Sequence, residues 1–398
     1  MGKNQNEPMR ILMVLERDFP PDLRVENEIR SLINQGHEIW LACFTFGNQE
    51  ISENWSGCVV KKKPIGKFIY KSSVGALKLP FYFSFWRKHI NHIISEFKPD
   101  AIHVHDLPLA KIGIETKHRY GIRFTLDLHE NWPAFLRTSK HANTLAGKVL
   151  SSNSQWEKYE LSSCREADNI IVVIEEAKER IISLGIPSEK VTVVANYPEL
   201  SDFSLIERKK NRSDDALSIL YAGGIGEHRG LQYAIRALPD ILKVYPMLKL
   251  KIFGEGNYRS ELEKQCRELN LTDNVVFYGQ VPYKRVLEEL AQADFAIIPH
   301  VKSDHTDSTI PHKLFQYMYS SIPVLASNCK PIERIVKDNN VGLVYQYDSP
   351  DDFAMKFKDL LANRSLIAEQ AKNGKKAVEK VFNWQSEQLK LGTLYSKT

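Results

Sequence analysis

Residues 293–328 read ADFAIIPHVKSDHTDSTIPHKLFQYMYSSIPVLASN: an apolar run, a polar loop, a helical stripe entered at a proline, and a second apolar run. The first run, Ala293 to Pro299, is short and bounded by Asp294 and Pro299, which suits a strand covered on both faces. The loop 300–310 carries charge and hydroxyls and little that packs. Pro311 falls where a helix tolerates proline best, its first position, with Ser308 and Thr309 as candidate cap hydroxyls. Leu314, Phe315, Met318 and Tyr319 then form an apolar stripe, and Ile322–Ala326 is the next strand. The helix start is expected at the carboxyl edge of a parallel sheet, where free N–H groups favour anions, and Lys313 adds a full positive charge there.

The same alternation extends in both directions. Arg10–Leu15 is a buried-type strand, 24–35 a helix closed by Gly36, and His37–Cys43 a second strand. PDAIHVHD (99–106) and RFTLDLHENWP (123–133) are strands ending in His-x-His-Asp and Asp-x-His-Glu. Helix is expected over 155–166, strand over 169–174, helix to Gly185, and strand with turn over 190–199. The polar stretch 200–216 reads as a linker or insertion. A new buried strand, Leu217–Ala222, leads into GGIGEHRGL, and FGEG and FYGQVP end two further strands. Asn340–Tyr345 is another strand, 350–380 is helical, and a last helix follows Phe382-Asn383-Trp384.

The chain of 398 residues has room for two or three cored domains, and 43% apolar with 26% charged residues is ordinary for a globular protein. A net charge of +5 is too weak to argue for nucleic acid. Five scattered cysteines lack metal spacing and read as reduced thiols, the polar start does not read as a signal peptide, and no apolar run is long enough to span a bilayer. The expectation is a cytoplasmic protein.

One stretch departs from the average. Residues 61–98 hold nine Lys or Arg against one acid, Glu96, with five aromatics opening the helix after Pro80. Such a mixture suits the surface of an anionic bilayer, and equally an ordinary helix with its rings turned inward.

PHKLFQYM followed by SSIPVLASN resembles the P-x-K-L-F-E-Y-M…G-x-P-V-x-A-S segment of retaining, nucleotide-sugar-dependent glycosyltransferases of family 4. The turns FGEG and FYGQVP, the loop GGIGEHRGL and the D-x-H-E-x-x-P pattern at 127–133 agree with it. The resemblance implies a GT-B fold, in which two Rossmann-like α/β domains face one another across a cleft. Acceptor would bind to the N-terminal domain (1–198) and donor to the C-terminal domain (199–382). Residues 383–398 would form a helix returning to the first domain. It also implies sugar transfer from a nucleoside diphosphate to a hydroxyl with retention, in polysaccharide or glycolipid assembly, with no cofactor and no metal. A GT-B protein that binds a donor without turnover, or a sugar-nucleotide epimerase, remains open at this point.

The family's motifs carry roles onto particular residues. His129 takes the histidine that contacts the donor sugar. Gly223, Gly224, Arg229, Gly254, Glu255, Val281, Ser308, Thr309, Ile310, Lys313, Leu314 and Gln316 take donor-binding positions. Arg229 stands in the lysine position of the diphosphate clamp, and Gly224 stands where many members have its arginine. Ser308 and Gln316 replace two glutamates spaced eight apart, the second of which holds ribose; a glutamine still hydrogen-bonds a diol. Arg17, Arg24, His105, Asp106 and Glu130 are acceptor-side candidates, from their places at strand ends. His103, His105, Asp106 and His129 include metal-type ligands, but no fourth ligand is evident at a tight spacing.

Overall fold

The computed structural model describes residues 7–138, 152–203 and 217–396. Most of the expected linker at 200–216 therefore lies outside the described residues. The chain forms two compact units, one of residues 1–196 with 387–398 and one of residues 197–386.

The first unit is built on an eight-stranded sheet. Its strands are β1 (Arg10–Val14), β2 (Glu38–Thr45), β3 (Ile51–Trp55), β4 (Cys58–Pro64), β5 (Ala101–His105), β6 (Arg123–Leu128), β7 (Asn169–Val172) and β8 (Val191–Val193). They lie in the order β3-β4-β2-β1-β5-β6-β7-β8, all parallel except the β3–β4 hairpin. β1, β5 and β6 are almost wholly buried, as parallel strands covered on both faces must be. Sequence reading missed the hairpin because β3, ISENW, is exposed and carries no apolar alternation.

The second unit carries β9 (Ser218–Ala222), β10 (Lys249–Phe253), β11 (Val275–Gly279), β12 (Phe295–Ile298), β13 (Val324–Ser327) and β14 (Gly342–Tyr345). Their order is β11-β10-β9-β12-β13-β14, again parallel, with an apolar cluster on each face. The strand order reverses between β9 and β12, and open sheets gather ligands at the carboxyl ends beside such a point.

Three local expectations need correction. The helix after the 300–310 loop is Lys313–Tyr319, only seven residues, and begins after Pro311 rather than at it. Ser308 and Thr309 do not cap it: their hydroxyls donate to the carbonyls of Asp304 and His305 in the preceding turn. The helix expected near Arg229 starts at Leu231, after a single tight turn over Glu227–Arg229. An anion site here therefore rests on side chains more than on helix ends.

The basic stretch is also less basic than its composition implies. Lys61 pairs with Glu96, Lys62 with Asp18 and Glu53, Lys63 with Glu50, and Arg87 with Glu115. Tyr82, Phe83 and Trp86 are buried, so the inward-packing reading holds for those rings. Phe46, Phe68, Tyr70, Val74 and Phe81 are exposed instead. Among the described residues no helix is long and apolar enough to cross a membrane.

Candidate functional site

In the second unit, glycines bring four loop ends together. Gly223, with φ +142°, follows β9 and donates its N–H to Phe253 O at 2.8 Å. A Cβ on Gly254 would lie 2.0 Å from Gly223 O, so the turns after β9 and β10 stack backbone on backbone. Gly230, with φ +72°, sits so close to the end of β12 that a Cβ would lie 1.6 Å from Pro299 O. Val301 N donates to His228 O at 2.9 Å, locking the two loops.

That locking sets Arg229 Nη1 2.6 Å from Nε2 of the buried His300. Lys313 Nζ lies 3.8 Å from the centre of the Tyr221 ring, buried and without a hydrogen-bond partner. A side chain at Gly223 would strike it, with Cβ only 2.5 Å from Nζ. Burial drives Lys313 well below the ordinary lysine range, and Arg229 adds to the effect. His300 is likewise pushed well down by burial, then by Lys313 and Arg229. His228 and His305 are lowered too, first by burial. Among the described residues no carboxylate stands within 4.0 Å of either Arg229 or Lys313. Two cations facing neutral imidazoles and a ring, with no acid to balance them, form a site for an anion.

The other donor-side candidates divide. Gly224 accepts from Tyr221 Oη at 2.7 Å, and Glu255 offers its carbonyl to Ile225 N while Arg259 binds its carboxylate. Gln316 Nε2 donates to Tyr283 Oη at 3.2 Å, which brings it beside the turn that holds Val281. Ile310 is half-buried against the core. Leu314 is fully buried, so its side chain belongs to the core and only its backbone is left for a ligand. The Ser308 hydroxyl is already committed to Asp304 O at 2.6 Å.

In the first unit the acidic and histidine strand ends of β1, β5 and β6 converge. His129 Nε2 lies 2.9 Å from Asp127 Oδ2, and Nδ1 lies 3.5 Å from Asp106 Oδ2. Burial alone would lower this imidazole, but Asp106 and Asp127 outweigh it and hold it at about 9. His129 is therefore an imidazolium, a donor of charge and hydrogen bonds and not a proton acceptor. Asp106, at the left-handed φ of +66°, and Glu130 are both raised from their ordinary carboxylate values, first by their partial burial. Glu16, which accepts from Tyr82 Oη at 2.6 Å, is raised by burial to about 7. Arg17 is largely exposed and paired with Asp22 at 3.1 Å.

Two acceptor-side candidates lie inside the unit. Arg24 and His105 are buried, at 3% and 0% exposure, and face inward. Arg24 grips both oxygens of Asp127, donates to Val194 O at 2.9 Å, and lies 3.0 Å from Glu28. Strand alternation explains the placement: His103, His105 and Asp127 share the face that the helix Leu23–Asn34 covers. Ligating atoms of Glu28, His103, His105 and Asp127 all lie within 4.8 Å of one another, the chemistry of a metal site. Arg24 already supplies the positive charge there, and Asp127 Oδ2 already accepts from Arg24 and His129. The set fits a buried ion network better than a divalent cation.

Glu16 and His300 were not singled out from sequence, and Asp127 entered only as the first residue of the D-x-H-E pattern, without a role. The signal was present for Glu16 and His300, since each stands just beyond a strand end, as Asp106 does.

Comparison with known proteins agrees with this architecture. A family model described as Glycosyltransferase Family 4 matches residues 23–197, and one described as Glycosyl transferases group 1 matches residues 202–377. The chain is 26% identical over 302 residues to an uncharacterized glycosyltransferase of Methanocaldococcus jannaschii, covering 73% of this chain and 74% of the relative. It is 22% identical over 354 residues to the alpha-monoglucosyldiacylglycerol synthase of Streptococcus pneumoniae, covering 85% and 75%. Sucrose-phosphate synthase from Thermosynechococcus elongatus superposes with a TM-score of 0.73 at 16% identity, over 97% of this chain and 98% of that one. Anabaena HepE in complex with UDP and glucose superposes at 0.68 with 14% identity, over 98% and 99%. With one model on each unit and GT-B neighbours along its length, the chain belongs to the group 1 glycosyltransferases and has the GT-B fold.

Proposed function

We propose that the protein moves a sugar from a nucleoside-diphosphate donor, bound by the second unit, to a hydroxyl of a glycan or lipid-linked acceptor, with retention. The observation that carries this reading is the acid-free cation pair Arg229 and Lys313 at the sheet's switch point. On donor binding, the diphosphate supplies the missing negative charge beside Arg229 and Lys313. As the sugar–phosphate bond breaks, negative charge grows on the leaving oxygen, and Arg229 and Lys313 stabilise it where it forms. The acceptor hydroxyl gives up its proton to that oxygen, so no protein nucleophile is required. His129, as an imidazolium, takes the role of the family's sugar-contacting histidine through its positive charge. Gln316 and Tyr283 hold the ribose side. UDP, bound in the HepE structure, and the glycolipid product named for the streptococcal relative make UDP and a lipid acceptor the first to test.

Calorimetric titration with UDP tests the reading. Arg229→Ala and Lys313→Ala should each weaken binding by about 1.5–3 kcal/mol, the worth of charge-assisted hydrogen bonds. Unchanged affinity in both would remove the diphosphate role. A second reading, donor binding without turnover, is favoured by the Ser308 hydroxyl, which is tied into its own loop. Absence of sugar transfer or donor hydrolysis in a protein that still binds UDP would select it.

A further inference from the structure

We propose that His300 is a positioning residue of the diphosphate site, a buried neutral acceptor that aims Arg229 without cancelling its charge. The inference rests on the reading of Arg229 and Lys313 as diphosphate ligands. An arginine is usually oriented by a carboxylate, and the pair then presents little net charge to a ligand. Here the fixed partner is an imidazole, with Arg229 Nη1 2.6 Å from His300 Nε2. A guanidinium has no acceptor atom, so Nε2 must carry the lone pair and the ring proton must sit on Nδ1. Protonating the ring would set two cations against each other, and burial beside Lys313 also opposes it.

The backbone holds this contact in place. Gly230 against Pro299 O, and Val301 N on His228 O, fix the two loops that carry the partners. Lys313 follows the same rule, set over a neutral ring instead of an acid. His300 thus keeps a half-buried cation both ordered and electrostatically available.

Two variants of nearly equal shape separate the charge of the acceptor from its presence. His300→Gln places a neutral acceptor where Nε2 stands; His300→Glu places a charged one. Calorimetry with UDP should give His300→Gln within about threefold of wild type and His300→Glu at least tenfold weaker. Melting temperatures are measured alongside, because a merely structural histidine would lose affinity in step with stability in both variants. If His300→Glu does not fold, His300→Leu replaces it: it fills the space without an acceptor and should weaken UDP tenfold while His300→Gln does not. Equal affinity in all variants, or equal loss in Gln and Glu, overturns the positioning role. Lys313→Ala in the same titration judges the underlying reading. If it weakens UDP binding and His300→Glu does not, only the present inference falls; if wild type binds neither UDP, GDP nor pyrophosphate, both fall.

Discussion

His129 has a carboxylate near each ring nitrogen, and this decides what it can do. Its folded-state value of about 9 lies above the ordinary 6.5, so its attraction to Asp106 and Asp127 stabilises the fold fully below pH 6.5. That contribution is lost as pH rises through 9. An NMR titration of the imidazole C–H signals should place the His129 midpoint near 9, and a midpoint below 7 would refute the imidazolium assignment. Between pH 6.5 and 9, the fall in unfolding free energy should be smaller in His129→Gln than in wild type, by on the order of 3 kcal/mol. Gln316 poses the complementary question in the second unit. An amide makes neutral bonds to a diol where a carboxylate makes stronger ones. Gln316→Glu should therefore keep or tighten UDP binding, and Gln316→Ala should loosen it by about 1 kcal/mol. Identical titrations for all three would show that the ribose is held elsewhere.

At the scale of elements, the short helix Lys67–Lys71 and the entry to the helix Phe81–Phe97 form an exposed aromatic surface. Phe68 meets Phe81 with ring centres 5.5 Å apart, and Phe46 meets Tyr70 at 5.1 Å. Lys67 and Lys71, both exposed, flank these rings. Lys61–Lys63, the densest basic run of the 61–98 stretch, are tied to acids, so membrane attachment should depend on the rings more than on them. Flotation with anionic vesicles should show binding that declines with salt, and Phe68→Ala with Phe81→Ala should reduce it about tenfold. Equal binding to neutral vesicles, or none to either, would end the membrane reading. Composition could not separate these cases, because pairing depends on Asp18, Glu50, Glu53 and Glu115, which lie outside the stretch and reach it only through the fold.

Across the whole molecule, the βα alternation was legible because each buried parallel strand is a local apolar run. So were the glycine turns after β9 and β10, where the backbone must approach closely. Contacts between distant residues were not legible. Arg24 finds Asp127 across 103 positions, and Tyr395 Oη meets His103 Nδ1 at 2.8 Å across 292. Nothing local in the sequence marks either residue as buried and paired. The second contact makes the first unit depend on the chain's last turn. Glu387 Oε2 accepts Ala195 N at 2.8 Å, Gln35 donates to Gln388 O at 3.0 Å, and Arg123 donates to Leu394 O at 3.0 Å. Leu391 and Tyr395 are fully buried. Removing residues 387–398 would therefore uncover apolar surface and leave His103 Nδ1 and the Ala195 N–H without partners, each costing about 1–3 kcal/mol. Hydrogen exchange should report the damage selectively. Peptides spanning β5 and 191–196 should lose protection in the truncated chain, while those spanning β9 and β12 keep theirs, since both strands belong to the other unit. Uniform loss across both sheets would show that the two units do not unfold separately, and no loss in β5 would show that Tyr395 closes nothing.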